Sequence, residues 1–191
     1  PAPVSIASAR GTIPGFDVSA DMHGWRMVRA AIGLSYASAS DDVDVRAQIP
    51  HPFYFAQPRA ISGRVPGVSH SELATHLGGG VRFTRRGIDL FPTAGLSIVR
   101  VSQDLVSDVT HADTYPYDEA RFVGASTVKV SATRAGYHAG VDLTWRRSPL
   151  WGMGAVVRYV HAGVPLSVGG REAGTRDVGG LQAGGGVRFR F

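Results

Sequence analysis

The chain has no cysteine, and of its 20 basic residues only Lys129 is a lysine. Without cysteine there is no disulfide framework and no thiolate chemistry, a composition that fits an oxidising envelope compartment. No run approaches the roughly 18 consecutive apolar residues that a membrane-crossing helix needs, which excludes a helical membrane protein. The arginines are not clustered. A net charge of +5 and a pI near 10.1 would suit nucleic acid, but the arginines are spread at strand spacing, which argues against that partner. The seven histidines show no pair at zinc or iron spacing, so no metal site is expected. Gly78-Gly79-Gly80 and Gly184-Gly185-Gly186 precede no helix pattern, so neither reads as a phosphate cradle and no cofactor is expected. The chain starts at Pro1 with no basic-plus-apolar leader, so a signal peptide is expected to have been removed, or the chain to be part of a longer precursor.

What the chain has in abundance is alternation of apolar and polar residues, the mark of strands with one face in each medium. Residues 1 to 10 read as a first, weakly marked strand with Val4 and Ile6 on one face. In the second strand Phe16, Val18, Ala20 and Met22 oppose Asp17, Ser19 and Asp21, and in the third Val28 to Tyr36 oppose Arg29 to Ala37. The fourth sets Leu73 to Phe83 against Ala74, His76 and Arg82; the fifth runs from about Ile88 to Val101, with Leu90, Leu96 and Ile98 facing one way and an apparent slip of phase at Val99-Arg100-Val101. The sixth sets Tyr137 to Trp145 against His138, Asp142 and Arg146, and the seventh sets Trp151 to Tyr159 against Arg158. The eighth ends the chain as Gly186-Val187-Arg188-Phe189-Arg190-Phe191.

Between these strands the links alternate in length. Those at His23 to Trp25, Arg85 to Gly87 and Arg147 to Leu150 are short; Ser38 to Ser71, with room for strand extensions at its ends, 102 to 126 and Gly163 to Gly180 read as long loops. Short turns on one side and long loops on the other are what an up-and-down transmembrane barrel requires, with both termini in the periplasm. The expected fold is therefore all-β: a single domain over residues 1–191, forming an eight-stranded antiparallel up-and-down transmembrane β-barrel whose last strand pairs with the first. The three tryptophans, Trp25, Trp145 and Trp151, lie beside the short turns, and with Tyr159 they are assigned to aromatic girdles at the membrane interface. A soluble barrel around an apolar ligand is the alternative fold reading.

In this plan the chain resembles the small Gram-negative outer-membrane barrels of the OmpA type. Its ending, with Gly186, Phe189 and a terminal Phe191, is similar to the signal such barrels show to their assembly machinery. The resemblance implies residence in the bacterial outer membrane among lipid and lipopolysaccharide, insertion by the barrel assembly machinery, and no particular activity. Mean hydropathy near zero is compatible, because a greasy outer face averages against a polar lumen.

Chemistry in such a fold would sit in the lumen, where the face assignment places Asp17, Asp21, Arg29, His76, Arg82, His138, Asp142, Arg146, Arg158, Arg188 and Arg190. Mixed charge in so narrow a space reads as an ion-pair plug, with a small pore as the alternative. The stretch Arg158-Tyr159-Val160-His161-Ala162-Gly163 resembles the surroundings of the catalytic histidine in the lipid A 3-O-deacylases, where a serine two residues later is the nucleophile. Gly163 stands in that place here, and Ser167 and Glu172 fall in the following connection, so no enzymatic activity and no catalytic residue are expected. The aromatic cluster His51-Pro52-Phe53-Tyr54-Phe55 marks either a binding surface for an extracellular or envelope protein, or a loop packed on itself or against headgroups. The expected function is a non-enzymatic, structural or surface-interaction role.

Overall fold

A period-two pattern satisfies its backbone only by pairing strand to strand, and this chain does so along nearly its whole length. The computed structural model describes residues 4–7, 13–23, 27–54, 56–168 and 171–190. The strands are β1 (Val4–Ala7), β2 (Gly15–His23), β3 (Val28–Ile49), β4 (Arg59–Val81), β5 (Phe83–Arg85), β6 (Ile88–Thr114), β7 (Glu119–Arg146), β8 (Trp151–Val168) and β9 (Arg171–Phe189). As β5 continues β4 past Arg82, the fold is all-β with eight antiparallel strands running up and down. At the β5–β6 turn Arg86 and Gly87 both have positive φ, 49° and 82°, the conformation of a two-residue type I′ hairpin.

The order across the sheet is β3-β4-β6-β7-β8-β9, with β1 and β2 both alongside β3 and β5 alongside β6. Val4–Ala7 lie opposite residues 44–47, and Gly15–His23 lie opposite residues 29–37. The eight strands thus fill seven positions, and β2 at one edge runs in the same direction as β9 at the other. The sequence leads one to expect a closing ladder between the last strand and the first. Among the described residues none joins β9 to β1 or β2.

A second difference concerns the three stretches read as long loops. Strand β3 continues to Ile49 and β4 begins at Arg59; β6 runs to Thr114 and β7 starts at Glu119; β8 and β9 reach Val168 and Arg171. The prolines that suggested a loop fall mostly at 50, 52 and 58, between β3 and β4, while Pro66 lies exposed within β4. The alternation around Val99 is also unbroken: Ser97 and Val99 are buried, and Ile98 and Arg100 between and beside them are exposed.

The strands pass through two compact units. The first comprises residues 1–14, 38–71 and 102–131. It is built like a water-soluble β-structure. Val43, Val45 and Val65 pack with Val68, Val106, Val109, Phe122 and Ala125, and Ala47, Ile49 and Ile61 pack with Ala120. The residues between them on β3, Asp42, Asp44, Arg46 and Gln48, are exposed. The Phe122 ring lies on Gly63, where a Cβ would come within 2.1 Å of it.

The second unit comprises residues 15–37, 72–101 and 132–191, and its polarity is reversed. Its outer face is apolar: Phe16, Val18, Ile32, Leu77, Leu96, Ile98, Leu143, Met153, Leu181 and Val187 are all exposed. Its inner face carries buried His76, Asp89, Ser97, His138 and Arg158, with a small apolar cluster of Ala74, Val99, Val160 and Ala162. Glycines let neighbouring strands approach here, since a Cβ on Gly95 would stand 2.2 Å from the Leu77 carbonyl oxygen.

Candidate functional site

The interior of the second unit follows from the alternation that makes its outside apolar: each residue beside an outward Leu or Val must point in, and an inward charge must find a partner. Asp21 on β2 bridges two guanidinium groups, accepting from Arg29 Nη1 at 2.8 Å and Arg82 Nη2 at 2.7 Å. Arg82 also lies 5.3 Å from the centre of the Phe91 ring, a cation–π distance. Asp89 accepts from Thr84 Oγ1 at 2.6 Å and pairs with Arg146 Nη2 at 3.2 Å. Asp142 accepts from Arg188 Nε at 3.0 Å and Nη2 at 2.5 Å, and from Thr144 Oγ1 at 2.9 Å. Arg158 on β8 reaches Asp17 on β2 at 2.9 Å, so side chains of widely separated strands meet on this face.

At the centre is a chain of hydrogen bonds through two imidazoles. Ser35 Oγ is 2.9 Å from His76 Nε2; Ser97 Oγ is 2.8 Å from His76 Nδ1 and 2.9 Å from His138 Nδ1. The two rings lie edge to face with centroids 5.1 Å apart. A serine within hydrogen-bond reach of a histidine is the starting geometry of a nucleophile and its base. Here Ser97 is only 1% exposed, and its hydroxyl is shared between two rings. The hydroxyl satisfies buried imidazole nitrogens.

Of the residues assigned to the interior from sequence, Asp17, Asp21, Arg29, Arg82, Asp142, Arg146, Arg158 and Arg188 lie in these ion pairs, and His76 and His138 in the central chain. Arg190 follows β9 and is exposed, and its backbone N–H donates to the Leu150 carbonyl at 2.9 Å. Ser35, Thr84, Asp89, Ser97 and Thr144 are additions. Their signal was their inward phase, Asp89 opposing Leu90 and Ser97 lying between Leu96 and Ile98.

On the outer face Trp145, Trp151 and Tyr159 are exposed, and Trp151 pairs across the ladder with Phe189. Gly186 pairs with Gly154. Trp25 and Phe191 lie outside the described residues. In the stretch that resembles the deacylases, the His161 ring lies 5.1 Å from that of Tyr137, and Gly163 pairs with Asp177. Ser167 and Glu172 face each other in the ladder beside a bulge, and their side chains lie outside the described residues. Among the described residues no three side chains of metal-ligating type converge.

The first unit has a polar hub of its own. Arg59, 7% exposed, donates to Asp113 Oδ1 at 2.8 Å and to the carbonyl oxygens of Tyr117 at 2.9 Å and Pro50 at 3.2 Å. It thereby ties the β3–β4 connection to the β6–β7 connection. His51 Nδ1 accepts the backbone N–H groups of Phe53 and Tyr54 at 3.1 and 3.2 Å. Phe55 of this cluster lies outside the described residues. At the flank of the unit Asp104 accepts from both the hydroxyl and the N–H of Ser69, and these bonds hold its carboxyl below the usual range.

No family model matches the sequence, no curated protein is significantly similar to it, and no solved structure matches it significantly.

Proposed function

We propose that the chain is an integral outer-membrane β-barrel without enzymatic activity, its lumen plugged by paired charges and its outer strands serving a structural or surface-interaction role. The observation that carries this reading is the reversal of polarity within single strands. In β3 the exposed face holds Val28, Ile32 and Leu34 in one unit and Asp42, Asp44 and Arg46 in the other, while the inward face changes from Arg29 and Ser35 to Val43, Val45 and Ile49. Water outside favours the second arrangement and hydrocarbon outside favours the first.

The width of the apolar zone supports the same reading. Trp145 and Tyr137 on β7, and Trp151 and Tyr159 on β8, are each eight residues apart and exposed. At about 3.3 Å per residue this is roughly 26 Å along the strand, or about 20 Å along the membrane normal at a tilt near 40°, on the order of the apolar band of such barrels. Pairing of the inward aspartates with arginines favours a plug over a conducting pore. Because β2 and β9 run in the same direction, the proposed ring is completed either by a parallel ladder between them or by one further antiparallel strand.

Fractionation and heat-modifiable migration on gels test the reading. The protein should enter the outer membrane, require detergent for extraction, and run faster unheated than boiled. Extraction into buffer alone would overturn it. Stable, uniform conductance in planar bilayers would overturn the plug, and loss of an acyl chain from lipid A in expressing cells would overturn the non-enzymatic assignment.

A further inference from the structure

The connections at 50–58 and 115–118 carry a surface that the plug does not need. Phe53, Tyr54 and Tyr115 are 66%, 59% and 83% exposed, although large aromatic rings are normally covered. They are held in place. Phe53 and Tyr115 each meet Tyr117 edge to face, at 5.6 and 5.9 Å, and Tyr54 lies 4.9 Å from the His51 ring. Tyr117 has φ of 77°, a left-handed conformation that a residue with a Cβ rarely adopts. Arg59 holds its carbonyl, and its own N–H donates to Thr114 at 2.7 Å.

The second observation is an unmade hydrogen bond. With Nδ1 accepting two backbone N–H groups, neutral His51 carries its proton on Nε2. That nitrogen is buried, has no hydrogen-bond partner, and stands 3.7 Å from Asp118 Oδ1. The Asp118 side chain is 73% exposed, beside the His51 ring on which Tyr54 packs. The surroundings are acidic. Residues 111–119 include Asp113, Asp118 and Glu119 and no lysine or arginine; Asp113 is matched by the buried charge of Arg59, which leaves Asp118 and Glu119 as the excess. The unit as a whole has eight acidic side chains against six basic ones, in a chain whose net charge is +5.

We propose that this tip binds a cationic segment of a partner protein, seating lysine or arginine side chains over Phe53, Tyr54 and Tyr115 and against Asp118. The proposal rests on the surface-interaction reading above and gives the partner its chemistry. Exposed ring faces attract cations, and an adjacent carboxylate adds to that attraction, whereas phosphates of lipopolysaccharide or nucleic acid are repelled.

The test is titration of the full-length protein in detergent with a short peptide of alternating glycine and arginine or lysine, against a peptide of the same length with glutamine in place of the cations. Saturable binding of the cationic peptide alone is expected, weakening as salt screens it. Asp118→Asn and Tyr115→Ala should each weaken it about tenfold at unchanged heat-modifiable migration, a loss within the range of one cation–π or charge contact. Equal binding of both peptides, binding of neutral oligosaccharides or lipopolysaccharide in place of the cationic peptide, or full affinity in both variants would overturn the proposal. Migration separates the two readings: heat-modifiable protein that ignores the peptide refutes the tip alone, and protein that never shows the folded form refutes the barrel.

Discussion

Replacing Ser97 with alanine removes one oxygen from the most buried polar position in the second unit, and the structure sets the size of the effect. The serine has one proton to donate, yet lies within 2.9 Å of the Nδ1 atoms of both His76 and His138. It can donate to only one. The other ring must carry a proton on Nδ1 and donate back to Oγ, so the two imidazoles hold opposite tautomers. A methyl group breaks both bonds, each with a net value of about 1 kcal/mol, and strands nitrogens that solvent does not reach, at about 1–3 kcal/mol for an unmet buried group. Ser97→Ala should therefore destabilise the protein by roughly 2–4 kcal/mol, and Ser35→Ala, which removes one bond at a half-buried site, by about 1 kcal/mol. Urea unfolding in detergent micelles, followed by tryptophan fluorescence and extrapolated linearly, measures both. Nitrogen-15 spectra of the imidazoles should show one Nδ1–H and one Nε2–H ring in the parent. A Ser97→Ala protein as stable as the parent, or two rings of the same tautomer, would refute the assigned network.

Asp17→Asn should cost on the order of 3 kcal/mol, because Arg158 is left with its charge in the interior; a double-mutant cycle with Arg158→Met should show strong coupling, and additive losses would count against the ion pair. Gly95→Ala should prevent heat-modifiable folding or lower the yield sharply, since its Cβ would stand 2.2 Å from the Leu77 carbonyl oxygen. The carboxyl of Asp104 should titrate below an ordinary aspartate, because Ser69 bonds stabilise its charged form; that contribution is present at neutral pH and lost as pH falls through the lowered value. Carboxyl NMR should show Ser69→Ala moving the titration upward.

The strands of the second unit were legible because their alternation is written in strong contrasts, Leu, Val and Trp against Arg, Asp and His. The parts of β3, β4, β6 and β7 in the first unit, and the stretch where β8 and β9 meet near Val168 and Arg171, read from sequence mainly as loops, although Val43-Asp44-Val45-Arg46-Ala47-Gln48-Ile49 alternates as strictly as any stretch of the chain. The pattern is interrupted at Ala37-Ser38-Ala39-Ser40-Asp41-Asp42, where the two faces exchange character and small residues hide the phase. Prolines beyond it then suggested a loop. The paired aspartates and arginines, Asp89 apart, followed from phase alone. Ser97 and Ser35 did not stand out, since a strand serine carries no signal until histidines from other strands are placed beside it. That β1 and β2 share one neighbour depends on pairing between segments distant in sequence, which the pattern within a strand does not encode.

Under the proposed membrane placement, the exchange of faces in β3 fixes depth. A slip of one residue reverses both halves together, putting Arg29 into lipid and Val43 into water. A slip of two keeps the faces but moves the strand about 6.6 Å along its axis: outward it lifts Leu34 and Tyr36 toward water, and inward it draws Asp42 and Asp44 toward lipid. Either movement is opposed, so a bilayer of unsuitable thickness would have to deform around the protein. The chain would carry its own waterline.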